Sequence, residues 1–267
     1  MPRTSLRHWK KSDDQQMKKA IITSVAFLIV IFMVAWWRAP LFYHEMNKQA
    51  VYVGVIDAWH GGSHDDEAHA LWIDDDSGEG VFAVKRIADS MGITPCFAVI
   101  ADKMAPVVAD SLASWQRRGA ADIALHGLRH DHWKEWSEEQ IANDLHRSIL
   151  RIHELGFDTT RILRLVIPPH GCNTRAIRSV ICQQGFQMVT GASLVNPDRH
   201  VFQLGRIAIT PGTDMEDMCQ LLQKAHEGKM FVIFGTHSSN PAQFSEEKTK
   251  EVLETARKIG FKFVFYE

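Results

Sequence analysis

From residue 68 onward, short apolar runs alternate with amphipathic stretches. The runs are ALWI (70–73), CFAVI (96–100), DIAL (122–125), LRLVI (163–167), QMV (187–189), FQLGRI (202–207), MFVIF (230–234) and FKFVF (261–265). Apolar runs of this length, bounded by turn residues, predict strands. The segments between them carry helix-start chemistry. Ser137 with Gln140 predicts a capping box before a helix over 141–155, Asn173 a cap for 174–184, and Thr213 with Glu216 a second box before 218–226. Ser245 is placed to cap a last helix ending near Ile259. Such alternation predicts parallel strands with crossover helices, and the number of repeats suits an α/β barrel better than a small open sheet. In such barrels the reacting groups gather at the C-terminal ends of the strands.

Ahead of this region the pattern changes. Residues 20–37, AIITSVAFLIVIFMVAWW, carry no charge, and at ~1.5 Å per residue they nearly match a hydrocarbon core of about 30 Å. A cleaved signal peptide would have a shorter apolar region and a small-residue cleavage site, whereas Trp36 and Trp37 close this run. Arg3, Arg7, Lys10, Lys11, Lys18 and Lys19 precede it and only Arg38 and Lys48 follow closely, so the positive-inside rule predicts a cytoplasmic N-terminus. The expected organisation is a basic cytoplasmic tail (1–19), a single transmembrane anchor (20–37), a connecting segment (38–66) and an extracytoplasmic catalytic domain (67–267). Within the connection, VYVGVI (51–56) reads as an edge strand, and His60 and His64 as part of a solvated Gly-rich loop.

Charge removes one class of partner. With a formal net charge of -2 the chain has no broad basic field, so nucleic acid is not expected to bind. The widely spaced Cys96, Cys172, Cys182 and Cys219 form neither a disulfide scaffold nor a CxxC metal site and read as packed free thiols. Oligomeric state is not encoded in any of these features.

Candidate chemistry falls immediately after predicted strands. The first runs into Asp74, Asp75 and Asp76. Adjacent carboxylates repel, so such a triplet is either solvated or neutralised by a cation. The third runs into His126 and His130, a spacing that on a helical turn lets both imidazoles reach one metal ion. Alone this pair is weak in a chain with 14 histidines. Combined with the carboxylates it matches the two-imidazole, one-carboxylate set of an open catalytic zinc site, which also suits cobalt or iron(II). A second carboxylate can act as general base. The turn after the fourth strand, Pro168, Pro169, His170 and Gly171, offers backbone N–H groups to a developing oxyanion. His237 follows the strand at 230–234; on its own it reads as a core or rim histidine. Trp115 sits at helix spacing and reads as core, whereas Trp133 and Trp136 are candidates to stack on sugar rings. Neither HExxH nor GxSxG occurs, which argues against a peptidase.

The order ALWIDDDSG, ALHGLRH, VIPPHG and FVIFGTH resembles the polysaccharide deacetylases of the NodB-homology group, carbohydrate esterase family 4, across roughly residues 68–265. The resemblance implies a distorted (β/α)7-like barrel. It implies Asp74 as catalytic base, Asp75, His126 and His130 as ligands of a divalent metal, most simply zinc, and His237 as general acid. The substrate implied is an acetylated glycan, with hydrolysis of N-acetyl groups on an amino sugar. An O-acetyl esterase on the same scaffold and a catalytically impaired carbohydrate-binding protein remain the alternatives. Two positions depart from the family: Ile167 stands where an arginine often precedes the Pro-Pro turn, with Arg164 or Arg206 as candidate substitutes, and His170 replaces an aromatic residue. Asp198 is the candidate carboxylate for tuning His237.

Overall fold

The computed structural model describes residues 67–191, 195–197 and 199–263. The expected anchor, the 51–56 strand, the His60/His64 loop and Asp198 lie outside the described residues. All described residues belong to one unit, Tyr52–Glu267. No helix among them is long and apolar enough to cross a membrane.

Among the described residues nine strands form: β1 (His69–Asp74), β2 (Cys96–Val99), β3 (Asp122–Leu125), β4 (Ile162–Val166), β5 (Gln187–Thr190), β6 (Gln203–Gly205), β7 (Ile207–Ala208), β8 (Phe231–Thr236) and β9 (Lys262–Phe263). The main path runs β6-β5-β4-β3-β2-β1-β8-β7, with β9 paired to β1 outside it. Every strand pairing in it is parallel. The two ends of the path, β6 and β7, are separated in the chain by Arg206 alone. One run, residues 203–208, therefore pairs with β5 on one side and β8 on the other, and the sheet closes into a nearly complete barrel. The predicted run at 202–207 is thus both edges of the sheet.

Period-2 alternation sorts the strand residues into two cores. Leu71, Ile73, Cys96, Ala98, Ala124, Leu165, Val189, Leu204, Phe231 and Ile233 form the inner cluster. Their neighbours Ala70, Trp72, Phe97, Val99, Ile123 and Phe234 pack against the helices. Those helices are α1 (Val81–Met91), α2 (Pro106–Arg117), α3 (Glu138–Glu154), α4 (Arg175–Gln183), α5 (Met215–Glu227) and α6 (Glu246–Ile259). Each buries one apolar stripe, as Ile141, Leu145 and Ile152 do on α3.

Helix α3 begins with the expected Ser137/Gln140 capping box and α6 with Ser245, whose hydroxyl accepts from the Lys248 N–H. Two caps are displaced by one residue. Thr174, not Asn173, caps α4 by accepting from the Ile177 N–H, because the Asn173 amide oxygen is taken by Arg178 Nη1 at 2.7 Å. Asp214, not Thr213, caps α5 through the N–H groups of Glu216 and Asp217, while Thr213 Oγ1 closes the preceding turn by accepting from the Thr210 N–H. All four cysteines are free thiols.

Candidate active site

Strand β1 ends in the acidic triplet, and alternation assigns its members different surroundings. The Asp75 N–H continues the ladder to the Thr236 carbonyl at 3.1 Å, so Asp75 follows Ile73 towards the barrel interior, whereas Asp74 follows Trp72. Asp74 is fully buried and both its oxygens are engaged. Oδ1 accepts from Thr236 Oγ1 (2.8 Å) and the Ser238 N–H (3.0 Å), and Oδ2 accepts from Ser238 Oγ (2.6 Å). Thr236 Oγ1 in turn accepts from Trp72 Nε1 at 3.0 Å. Burial lifts the Asp74 pKa to about 7; the Ser238 and Thr236 hydrogen bonds oppose this, and the charges of Asp75 and Asp76 add to it. Asp76 folds the loop, accepting from the N–H groups of Ser77, Gly78 and Ser239.

Asp75 is the hub of the site. Its side chain is 1% exposed, with Oδ1 2.6 Å from Arg206 Nη1 and Oδ2 3.1 Å from His237 Nε2 and 3.8 Å from His126 Nε2. Burial pushes its pKa up, but the Arg206 guanidinium and the His237 hydrogen bond hold it well below the usual carboxylate range. Arg206 reaches Asp75 from the β6–β7 junction by crossing Gly235, where a Cβ would lie 2.9 Å from Arg206 Cδ. Of the two candidate cations, Arg206 is the one that lies against the acidic triplet. Arg164, exposed on β4, lies over the Phe186 ring instead.

The His pair does not sit on a helical turn. Residues 126–132 form a loop, with Gly127 at φ 80° and His130 at φ 62°. The i to i+4 ladder is replaced by bonds to neighbouring segments: Ala101 N–H to the Gly127 carbonyl, Asp102 N–H to that of Leu128, and Leu128 N–H to Asp144 Oδ1. Pro169, Asp144 and Trp133 crowd the place where a Gly127 Cβ would be, at 3.0, 3.3 and 3.3 Å, so only glycine fits there. The rings still meet, with centroids 4.7 Å apart. His126 Nδ1 donates to the Ile167 carbonyl at 2.6 Å, which fixes the tautomer and turns the Nε2 lone pair towards Asp75. Burial lowers the His126 pKa, which keeps the ring neutral.

His130 is lowered to about 4, first by burial and then by the charges of His126 and His170. Its ring lies 4.2 Å from that of His170, which is stacked at 3.5 Å on His132 and reaches the His130 carbonyl through Nε2 at 3.0 Å. His170 holds a left-handed backbone at φ 56°. The Gly171 and Cys172 N–H groups of this turn are spent on the Pro168 and Pro169 carbonyls, and Pro169 has no N–H to offer. Its part is to press on Gly127.

Asp74, Asp75, His126 and His237 thus converge at the C-terminal rim, with His130 and His170 beside them. The bare Nε2 of neutral His126 faces Asp75 Oδ2 at 3.8 Å, and an imidazole lone pair beside an ionised carboxylate fits a divalent cation. Among the described residues no three His, Cys, Asp or Glu side chains are already gathered as a metal cluster. His237, about two-fifths exposed, has its pKa raised, mainly by its hydrogen bond to Asp75. That carboxylate partner is Asp75, whereas Asp198 lies outside the described residues. Trp133 is 0% exposed and packs in the core, so it is not available to a sugar. Trp115 packs against Phe82 and Phe97, as its spacing predicts. Sequence reasoning missed Ser238 and Thr236, whose signal was the polar run THSS that begins with the last residue of β8, and Asp144, a single carboxylate inside an amphipathic helix.

The family model described as polysaccharide deacetylase matches residues 61–189. No curated protein matches the sequence. Among solved structures, the chain is similar to the family 4 carbohydrate esterase domain of a multidomain xylanase from the hindgut metagenome of Trinervitermes trinervoides, with a TM-score of 0.53, 15% identity, and 74% of this chain and 87% of that one covered. It is similar to a family 4 acetyl xylan esterase from Clostridium thermocellum in complex with a cobalt ion, at a TM-score of 0.51 and 14% identity over 73% and 87% of the two chains. A peptidoglycan N-acetylglucosamine deacetylase has a TM-score of 0.53 at 13% identity, covering 76% and 88%. Likeness at these identities concerns the fold.

Proposed function

We propose that this chain, whose residues 61–189 match the polysaccharide deacetylase model, is a metal-dependent deacetylase removing N-acetyl groups from an amino-sugar glycan. The observation that carries this reading is Asp75 in contact with His126, His237 and Arg206 on one barrel rim, with Asp74 behind it. Asp75, His126 and His130 would hold the cation, zinc being the simplest choice and cobalt or iron(II) the others. When bound, it supplies Lewis-acid polarisation of the acetyl carbonyl and lowers the pKa of water at the site.

The chain's own groups divide the remaining work. Asp74 takes the proton of the attacking water, and its route is the Ser238 hydroxyl, which already donates to Asp74 Oδ2. The His170 N–H faces the developing oxyanion. His237, its protonated form favoured by Asp75, gives a proton to the leaving nitrogen. Arg206 beside Asp75 supports an active enzyme over an impaired binding protein. Acetate release from a panel of N- and O-acetylated glycans, with and without chelator, tests the reading. Release from N-acetylated members, abolished by chelator and restored by zinc or cobalt, is expected. Release from O-acetylated members alone makes it an esterase, and no release from any member leaves the binding protein.

The same proposal places the catalytic domain outside the cytoplasm, tethered through residues 20–37 to the bilayer. A reporter fused after Glu267 is expected to be active only in its exported form. Cytoplasmic reporter activity would overturn both the topology and the extracytoplasmic glycan.

A further inference from the structure

The loop at 126–132 and the segment at 167–171 follow neighbouring parallel strands, β3 and β4, and the second segment touches both histidines of the first. At His126 it accepts, through the Ile167 carbonyl, from Nδ1 at 2.6 Å. At His130 the direction reverses. A carbonyl only accepts, so the 3.0 Å contact between His170 Nε2 and the His130 carbonyl makes the His170 ring the donor. We propose that His170 is a positioning residue for His130, its side chain setting how tightly the rim holds a divalent cation. The inference rests on the metal-dependent reading above and goes beyond it by giving work to the His170 imidazole as well as to its backbone N–H.

His130 needs a hold from outside its own segment. It stands at φ 62°, a backbone region that residues with a Cβ rarely adopt, and no helix or strand ladder runs through residues 126–132 to fix it. Among the described residues three non-glycine residues have positive φ, namely His130, His170 and Lys229. Two of the three are thus the partners in one hydrogen bond. Conformations of this kind persist where the surroundings determine them, and they gather at ligand sites.

The hold is itself braced. The His170 ring is stacked on that of His132 at 3.5 Å and 9° from parallel, and His132 leads directly into Trp133, which is sealed in the core. The His130 ring meets His170 at 4.2 Å and His126 at 4.7 Å between centroids. His170 acts on the cation without touching it, by fixing the backbone from which a ligand projects. Groups that orient a ligand in this way are typically worth about 10- to 100-fold in metal affinity.

Zinc affinity of the full-length chain, measured by competition with a chromophoric chelator, tests this in His170→Phe and His170→Gln. Phenylalanine keeps an aromatic ring and loses the donor, whereas glutamine loses the ring and keeps an N–H donor at similar reach. Both carry a Cβ on the same left-handed backbone, so that cost is common to the two. The zinc Kd is expected to rise about tenfold or more in His170→Phe and to return most of the way to the parent value in His170→Gln. Urea unfolding in chelator runs beside the titration, and because the His170 ring is exposed, equal midpoints are expected. A midpoint lowered in His170→Phe alone assigns the bond to folding and overturns the proposal. Parent-like affinity in His170→Phe, or an equal loss in both variants, also overturns it while the metal-dependent reading stands. Absence of zinc binding by the unmutated protein overturns that reading and the positioning role together.

Discussion

Replacing Asp74 by asparagine is expected to lower turnover by about 10²- to 10⁴-fold, the usual worth of a general base, while metal stoichiometry is unchanged. Asp75→Ala and His126→Ala are expected to lose metal and activity together, since each removes a ligand from an already minimal set. The contrast follows from the alternation at the end of β1: Asp75 faces the histidines, whereas Asp74 is held from behind by Thr236 and Ser238. Metal content by atomic absorption beside kcat decides it. Loss of metal in Asp74→Asn with retention in Asp75→Asn would reverse the two roles. The pH profile supplies a second check. Asp74 accepts a proton only when ionised, and burial raises its pKa to about 7, so activity falls as pH drops through that region. A bound cation draws the value down and places the limb at or below about 7.

The second large effect concerns Arg206. In the metal-free protein Arg206→Ala leaves Asp75 ionised and 1% exposed without its main countercharge, and breaking one side of a buried pair costs about 3 to 5 kcal/mol. The sign with pH is distinctive. With Arg206 present the folded Asp75 pKa is depressed, so its stabilisation is complete above the unfolded pKa and is lost as pH falls through the folded one. Without Arg206 the folded pKa rises, so the variant loses stability relative to the parent at pH 7 and the difference narrows on acidification. Urea unfolding in chelator at pH 7 and pH 5 measures both limbs. A loss under about 1 kcal/mol at pH 7 would mean that the contact is no more than a surface-type pair. Added metal, which supplies another countercharge, should restore part of the loss.

These groups were unequally legible in the sequence. The strands were readable because each is a short apolar run between turn residues, and with them came the rule that the reacting groups follow strand ends. That rule alone brings Asp74, Asp75, His126 and His237 to one rim. The loop at 126–132 was not readable. The same four-residue spacing fits a helical turn, and what holds the loop instead is tertiary: the Ala101 and Asp102 N–H groups donate to the Gly127 and Leu128 carbonyls, and Asp144 accepts from the Leu128 N–H. Trp133 and Trp136 are three residues apart and looked equivalent, yet one is sealed in the core and the other lines a cavity. Local pattern does not separate them, because burial is decided by what packs over them. Arg206 was one of two candidate cations with no sequence signal to choose between them. The choice is made by the closure of the sheet, which pairs residues 207 and 208 with β8, and by the absence of a side chain at Gly235.

The position of Arg206 at the only chain step between the two ends of the strand path ties two equilibria together. Residues 203–205 grip β5 and residues 207–208 grip β8, so the hinge pin of the ring is also the counterion of Asp75. A cation or a proton that competes for that carboxylate is expected to change the exchange of the seam's amides. Amide exchange along residues 203–208 will therefore report on the ionic state of the rim from inside the wall, without a substrate present. The rim will in turn sense strain applied to the ring.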